Sequence, residues 1–419
     1  MKPFLACFLC LGVAPVAMAE EPLTWDDCVR EANQHNPDLA AANAAVREAR
    51  ANYFGSFSAF LPRVSASLSA DQGTSKNHKS GSSLSLNERG VGLSASETLF
   101  SGFGNEANVS QQRASLQAAE ASFAQTKAQV GFDARGAFAQ LLFAQEQVTL
   151  AETIAARRQE NVRMIELRYQ AGREHQGSYL RSQAAYQQAV FDIAQAKRAL
   201  AVAQQQLAKV LGRRAGPPFT MTGALNAAAA AEPPDYDALV GQTPAHRQAE
   251  AQARGAQAGV TVARSGFFPT VSATGSLGRS GSDWPPRDDR WLAGVMVSLP
   301  LFSGGQTWFE VQRAVAERHR FDANLKSADN QTVLALKQAF AAYQDAVGKV
   351  GVQEEFLHAA QVRDEIASSQ YTNGLLSFQD WDLIEDDLIA NQKSLLAVRR
   401  DAVIAEATWQ RTQGKSPLP

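Results

Sequence analysis

The stretch Val91-Gly92-Leu93-Ser94-Ala95-Ser96-Glu97-Thr98-Leu99-Phe100-Ser101-Gly102 decides how this chain is read, because its last four residues return as Leu301-Phe302-Ser303-Gly304. Each copy stands where the hydrophobic period changes. Before the first, Val91, Leu93 and Ala95 alternate with small or polar residues; before the second, Val295, Val297 and Leu299 do the same, the period-2 pattern of a half-buried strand. Beyond each copy, from 103 to about 168 and from about 306 to 370, apolar residues recur at helical spacing without proline. The change predicts a strand-to-helix corner, with glycine supplying the backbone freedom for the turn.

The recurrence is part of a longer internal repeat. At the same offset Tyr169-x-x-Gly172 matches Tyr371-x-x-Gly374, and Gly212, which reads as a helix C-cap, matches Gly414. Upstream the offset grows by five residues, pairing Pro37 with Pro244 and Pro62 with Pro269. The extra residues fall in a Ser-, Gly-, Asn- and Lys-rich turn at 71–89, longer than its counterpart at 280–290.

With 419 residues, 45% of them hydrophobic, the chain can bury a large core, and a net charge of −2 gives no signal for nucleic acid. Lys2, the apolar run 4–16 and Ala17-Met18-Ala19 read as a secretory signal over 1–19, too short to span a bilayer, with the mature chain starting at Glu20. Cys7 and Cys10 leave with it and lie too early in it for lipid attachment. Cys28 then remains alone, without a disulfide, and reads as a small buried hydrophobe or an exposed thiol.

Thr24 with Asp27 forms a capping-box pattern, and Asn36-Pro37 and Thr243-Pro244 each pair an N-cap residue with proline at the first helical position. These helices run to Phe60-Leu61-Pro62 and Phe267-Phe268-Pro269, where strands begin. In the first strand Arg63, Ser65, Ser67 and Ser69 face one way and Val64, Ala66, Leu68 and Ala70 the other. Four two-faced strands of about ten residues fit an outer-membrane barrel, yet small barrels need about eight strands. Closure therefore demands several chains; the alternative is a soluble meander packed on helices. Phe60, Phe100, Phe103, Phe267, Phe268, Phe302, Trp308 and Phe309 band at the helix-side strand ends, and Trp284 and Trp291 at the far ends, as interfacial girdles would.

The long helical runs predict rods of roughly 100 Å. Leu141, Val148, Ala155, Val162 and Tyr169 recur every seven residues, and Tyr343, Val350, Leu357 and Tyr371 keep the same register with Asp364 interrupting, a coiled-coil seam. The predicted organisation is a first repeat over 20–211 (hairpin about 62–100, long helix about 104–168, return helix about 178–211) and an irregular linker at 212–236. A second repeat covers 237–419, with hairpin about 269–302, long helix about 306–370 and return helix about 378–413.

Signal, paired hairpins, Leu-Phe-Ser-Gly corners, long helices and Tyr-x-x-Gly turns, with Leu23-Thr24-Trp25 through Asn36-Pro37-Asp38-Leu39 and Ser298-Leu299-Pro300-Leu301, resemble the TolC-type outer membrane efflux proteins over essentially the whole mature chain. The resemblance implies an α+β membrane protein, a homotrimer sharing one twelve-stranded barrel in outer-membrane lipid and prolonged by an α-helical periplasmic tunnel. It implies an exit duct that docks a periplasmic adaptor and an inner-membrane pump of an efflux or type I secretion system. The number three and these partners come from the resemblance alone. The rival function is a soluble periplasmic coiled-coil adaptor or scaffold.

In that layout the Tyr-x-x-Gly turns are the periplasmic tip. The resemblance points to Gly172, Arg173, Gly374 and Leu375 for adaptor docking, although glycine there is equally a turn requirement. Asp380 matches the first acidic residue of the family's entrance ring, with Asp382 beside it; as the third residue after Ser377, Asp380 equally suits a helix cap. The chain departs from the best-known gate: Leu376 replaces an arginine, Leu383 a second acid and Ser178 an aspartate. Closure by packing of Tyr371, Leu376 and Leu383 is the expected substitute for a salt-bridge lock, with Arg173 and Glu174 read either as a source of other polar links or as solvated charges beside a turn. The six histidines (His35, His78, His175, His246, His319, His358) have no partners at metal-ligand spacing, and no nucleotide or nucleophile motif appears in a suitable context, so no enzyme, metal or cofactor is expected.

Overall fold

The computed structural model describes residues 22–76, 83–214, 219–229 and 232–419; the signal segment, its cleavage site and the lipid-attachment question lie outside them. Two long helices dominate. Helix α3 (Gly104–Gln170) and helix α7 (Gln306–Thr372) have 67 residues each, about 100 Å at 1.5 Å per residue. Shorter helices form columns of similar length beside them: α1 (Trp25–His35), α2 (Pro37–Ser56) and α4 (Gln176–Val210), then α5 (Tyr236–Val240), α6 (Pro244–Ser265) and α8 (Phe378–Thr412).

The short helices stack end to end on the returning ones, and one side chain shows how. Asn36 caps α2 by accepting the Asp38 and Leu39 amides at 2.9 and 3.1 Å, while its Nδ2 donates 2.8 Å to the Val210 carbonyl in the last turn of α4. Gly212, at φ +80°, closes that junction so tightly that a Cβ would lie 2.2 Å from the His35 carbonyl oxygen. In the second repeat Thr243 caps α6, and a Cβ at Gly414 would lie 2.1 Å from Pro244 Cδ. The columns α2/α4 and α6/α8 flank α3, and α6/α8 also packs on α7, giving the order α2/α4, α3, α6/α8, α7. Buried Ala107, Ala114, Ala121 and Ala128 on α3, spaced by sevens, permit close helix approach.

Strands β1 (Arg63–Lys76), β2 (Ser83–Ser101), β3 (Thr270–Gly281) and β4 (Asp288–Ser298) form one antiparallel meander, longer in the first hairpin than about ten residues. Cross-strand partners share a face. The pairs Leu68–Val91, Leu93–Leu277, Leu277–Trp291 and Val271–Val297 put one exposed apolar face on the sheet, and Ser65–Ser94, Ser94–Ser276 and Gly92–Gly278 put small polar residues on the other. Leu292 and Met296 are exceptions on the polar face. A bulge between Thr98 and Phe100 restores phase, so Phe100 rather than Leu99 pairs with Val271.

Each strand joins one helical column, so the sheet order repeats the helix order, and β1 and β4 leave unpaired edges. At the first corner Gly102 and Phe103 both have positive φ (+63° and +67°); at the second, Gly304 and Gly305 fill the equivalent positions (+65° and +85°). Phe103 holds this left-handed conformation while its ring meets Phe100 and Phe268 edge-on, at 5.4 and 6.3 Å.

The segment between the repeats is a packed belt. Leu23 bridges Met221, whose backbone is also held on both sides by the Gln145 side chain, and Gln204 donates to the Phe219 carbonyl. Phe219, Met221 and Leu225 are buried with Cys28, Phe138, Leu141 and Leu207 in the largest core cluster, which Leu418 of the C-terminal tail joins. Burial, with the Glu31 and Asp27 carboxylates adding to it and the Arg213 guanidinium opposing, pushes the Cys28 thiol up to about 12.

Candidate functional site

At the end of the long helices remote from the sheet, two Schellman turns close the tip. The Arg173 amide donates 2.8 Å to the Arg168 carbonyl and the Leu375 amide 2.9 Å to the Gln370 carbonyl, with Gly172 at φ +70° and Gly374 at φ +78°. Nothing lies within 4 Å of a Cβ built on either glycine, so backbone conformation, not space, demands glycine here. Leu375 is 78% exposed, and Arg173 is exposed beside it.

Tyr371 is the fixed point of the tip. Its ring is 1% exposed, stacks on Trp381 at 4.7 Å and 3°, and carries the Arg168 guanidinium 4.6 Å above its centroid. Arg168 also donates to the Tyr371 and Thr372 carbonyls, capping α7. The Tyr371 hydroxyl donates 2.8 Å to Glu174, and the same carboxylate accepts from Ser178 at 2.9 Å and from the His175 amide at 3.3 Å. Burial alone would raise the Glu174 carboxyl; these three donors outweigh it and hold it below the usual carboxylate range. Burial and the neighbouring carboxylate push the Tyr371 phenol well up, so it stays a donor. Ser178 and Tyr371 are thus joined through Glu174, which makes polar links rather than standing solvated, the first of the two readings its sequence setting allowed. Its side chain is only 9% exposed because the α3–α4 turn folds it onto α7.

The three residues expected to close the entrance together are split. Tyr371 and half-buried Leu376 belong to a cluster with Ile165 and Trp381, whereas Leu383 is 63% exposed on the opposite face of α8. The two aspartates part likewise. Asp380 is exposed and forms a capping pair with Ser377, accepting its hydroxyl at 2.7 Å while the Asp380 amide donates back at 3.1 Å. Asp382 is buried and paired within the chain, to Arg158 at 3.3 Å and Arg181 at 3.1 Å.

Those arginines belong to a network that sequence reading missed. Arg157 pairs with Asp364 and, at 2.9 Å, with Glu385. Arg158 reaches Glu385 at 2.8 Å as well as Asp382 and Asp386, and Asn161 donates to both Glu385 oxygens at 2.6 and 2.7 Å. Asp364, the interruption in the heptad, is therefore a buried seam residue whose partner sits on α3. Among the described residues no group of three or more His, Cys, Asp or Glu is placed to hold a metal ion.

The architecture has counterparts in known proteins. The model of the outer membrane efflux protein family matches residues 28–213 and 236–414. The cation efflux system protein CusC of Escherichia coli (strain K12) is 24% identical over 376 residues, covering 88% of this chain and 81% of the relative. The pyoverdine export outer membrane protein OpmQ of Pseudomonas aeruginosa is 25% identical over 372 residues, covering 83% and 76%. A CusC crystal structure superimposes with a TM-score of 0.85 at 21% identity over 94% of this chain and 92% of that one. The open-state MtrE channel of Neisseria gonorrhoeae gives 0.81 at 19%, over 93% and 89%. A two-faced sheet on a layer of 100 Å helices, matched over nearly its whole length, leaves no room for the soluble adaptor reading: the chain belongs to the outer membrane efflux protein family and is an efflux channel of the outer membrane that extends into the periplasm.

Proposed function

We propose that three copies close into one ring, with a twelve-stranded barrel in the membrane and a helical tunnel below it, and that the ring is the passive exit duct of a tripartite pump. The observation that carries this is the pair of open edges. On one side β1 and the α2/α4 column lack neighbours and expose Leu180, Phe191 and Val202; on the other β4 and α7 do, with Leu334, Val352, Phe356 and Ile366 exposed. The two edges differ, so copies associate head to tail, and only a closed ring satisfies every edge.

In this ring the tip turns face the inner membrane, and Gly172, Arg173, Gly374 and exposed Leu375 form the adaptor contact. The Tyr371–Glu174–Ser178 latch ties the α3–α4 turn to α7 and keeps the entrance at rest, with Leu376 packed behind it and Asp380 and Leu383 left on the open surface. Asp382 supports the entrance from within the protomer. Named cargoes of the relatives range from cations to pyoverdine. The serine- and glycine-rich polar strand face offers a wet wall and no selective chemistry, so the pump selects and the duct conducts.

The test is cysteine crosslinking in cells at Arg173 and Leu375. Capture of one periplasmic adaptor from both positions, by a protein that runs as a detergent-solubilised trimer, supports the reading. A monomer, or crosslinks only from positions near the sheet, refutes it.

A further inference from the structure

The seam network is a different device from the tip latch. Glu385 has 0% exposure, Arg158, Asp364 and Asp382 are each more than nine-tenths buried, and the groups come from all four tunnel helices. Arg157, Arg158 and Asn161 come from α3, Arg181 from α4, Asp364 from α7, and Asp382, Glu385 and Asp386 from α8. Four carboxylates face three guanidinium groups, an excess of one negative charge; Glu385, Arg158, Asp364 and Asp382 form the buried centre, and Arg157, Arg181 and Asp386 stand at its more exposed rim. The Oδ1 atom of Asp364 is buried without a hydrogen-bond partner. The Arg363–Asp387 pair lies outside on the solvent side of α7 and α8.

We propose that this network is a proton-sensitive clasp: Glu385 takes up a proton when the α3/α4 and α7/α8 hairpins close on each other and releases it when they part. A proton on Glu385 neutralises the excess charge, leaving Arg157 to Asp364 and Arg158 to Asp382 and Asp386. Desolvation is the largest influence on Glu385 and Asp364 adds to it; Arg158, Asn161 and Arg157 oppose them without cancelling them, and its carboxyl sits above the ordinary range. Parting the helices hydrates Glu385 and returns it toward that range. The closed state therefore binds protons more readily than the open one, so acidification favours closure and the preference is lost as pH rises through the closed-state pKa.

The inference rests on the channel reading, and one experiment separates the two. Open probability of the full-length trimer is recorded in planar bilayers from neutral pH down to about pH 5, for the wild type, Glu385→Gln and Asp364→Asn. The wild type should close progressively with acid. Glu385→Gln, neutral at every pH, should stay in the low-opening state and lose the pH dependence. Asp364→Asn should move the transition to lower pH, because it removes the neighbouring negative charge and frees Arg157 for Glu385. Channels that conduct but are flat in the wild type, or keep their pH response in Glu385→Gln, overturn the clasp and spare the duct; no conductance in any variant overturns both. If Glu385→Gln fails to assemble, the Asp364→Asn shift decides alone.

Discussion

Replacing Tyr371 by phenylalanine removes one oxygen from the tip and little else, since the ring keeps its stack on Trp381 and its guanidinium cover from Arg168. The lost bond is a 2.8 Å donation to a carboxylate at a site 1% exposed on the tyrosine side. Hydrogen bonds to charged groups contribute about 1.5–3 kcal/mol. Glu174 retains Ser178 and the His175 amide, so the lower end applies, about 1.5–2 kcal/mol, or roughly 10–30-fold in the closed-to-open ratio of each protomer. Single-channel recording at neutral pH should show that increase in open probability with unchanged unitary conductance, because the oxygen is part of a lock rather than of the pore wall. The variant should also lose its latch at higher pH than the wild type. The Glu174 contribution is present above the ordinary carboxylate range and disappears as pH falls through its depressed folded-state pKa, which the substitution raises. An open probability equal to wild type would refute the latch.

Asn36→Ala should remove the α2 cap and the bond to Val210 together, costing about 1–2 kcal/mol, read as a lower urea midpoint. Gly278→Ala should abolish heat-resistant oligomers on gels, because its Cβ would lie 2.5 Å from the Val91 carbonyl oxygen, whereas Gly294→Ala, with open space around it, should not. Gly172→Ala and Gly374→Ala should each cost about 1–2 kcal/mol through backbone conformation alone, visible as faster amide exchange confined to the tip turns. Cys28, buried with its thiol pushed up to about 12, should resist maleimide at pH 8 in the native protein and label at once in denaturant, as intact mass will show.

What was legible in the sequence was local. The alternation after Pro62, the corner repeated at Leu301 and the caps at Thr24, Asn36 and Thr243 each depend on residues a few positions apart, and the structure shows strands, corners and caps there. What stayed hidden was convergent. Arg157, Asp364 and Glu385 are far apart in sequence, and a charge on a long helix is ordinarily solvated, so nothing in their immediate context announces burial. The one available signal was Asp364 itself, a carboxylate in register with Tyr343, Val350, Leu357 and Tyr371. The irregular linker hid its packing for the same reason: nothing in its alanines and prolines announces that Phe219, Met221 and Leu225 are buried against helices distant in sequence. Phe103 shows a third limit, since its left-handed backbone follows from the corner and its aromatic neighbours rather than from its own preference.

The unlike margins of the protomer carry a genetic corollary. In the proposed ring every seam would join the first margin of one molecule to the last margin of another, so a subunit crippled on one margin would still dock normally through the other. Coexpressed with healthy subunits, it enters their assemblies and leaves one joint faulty in each. Lesions along β1 or β4 should therefore be dominant in a cell making both forms, whereas loss of the whole polypeptide should be recessive.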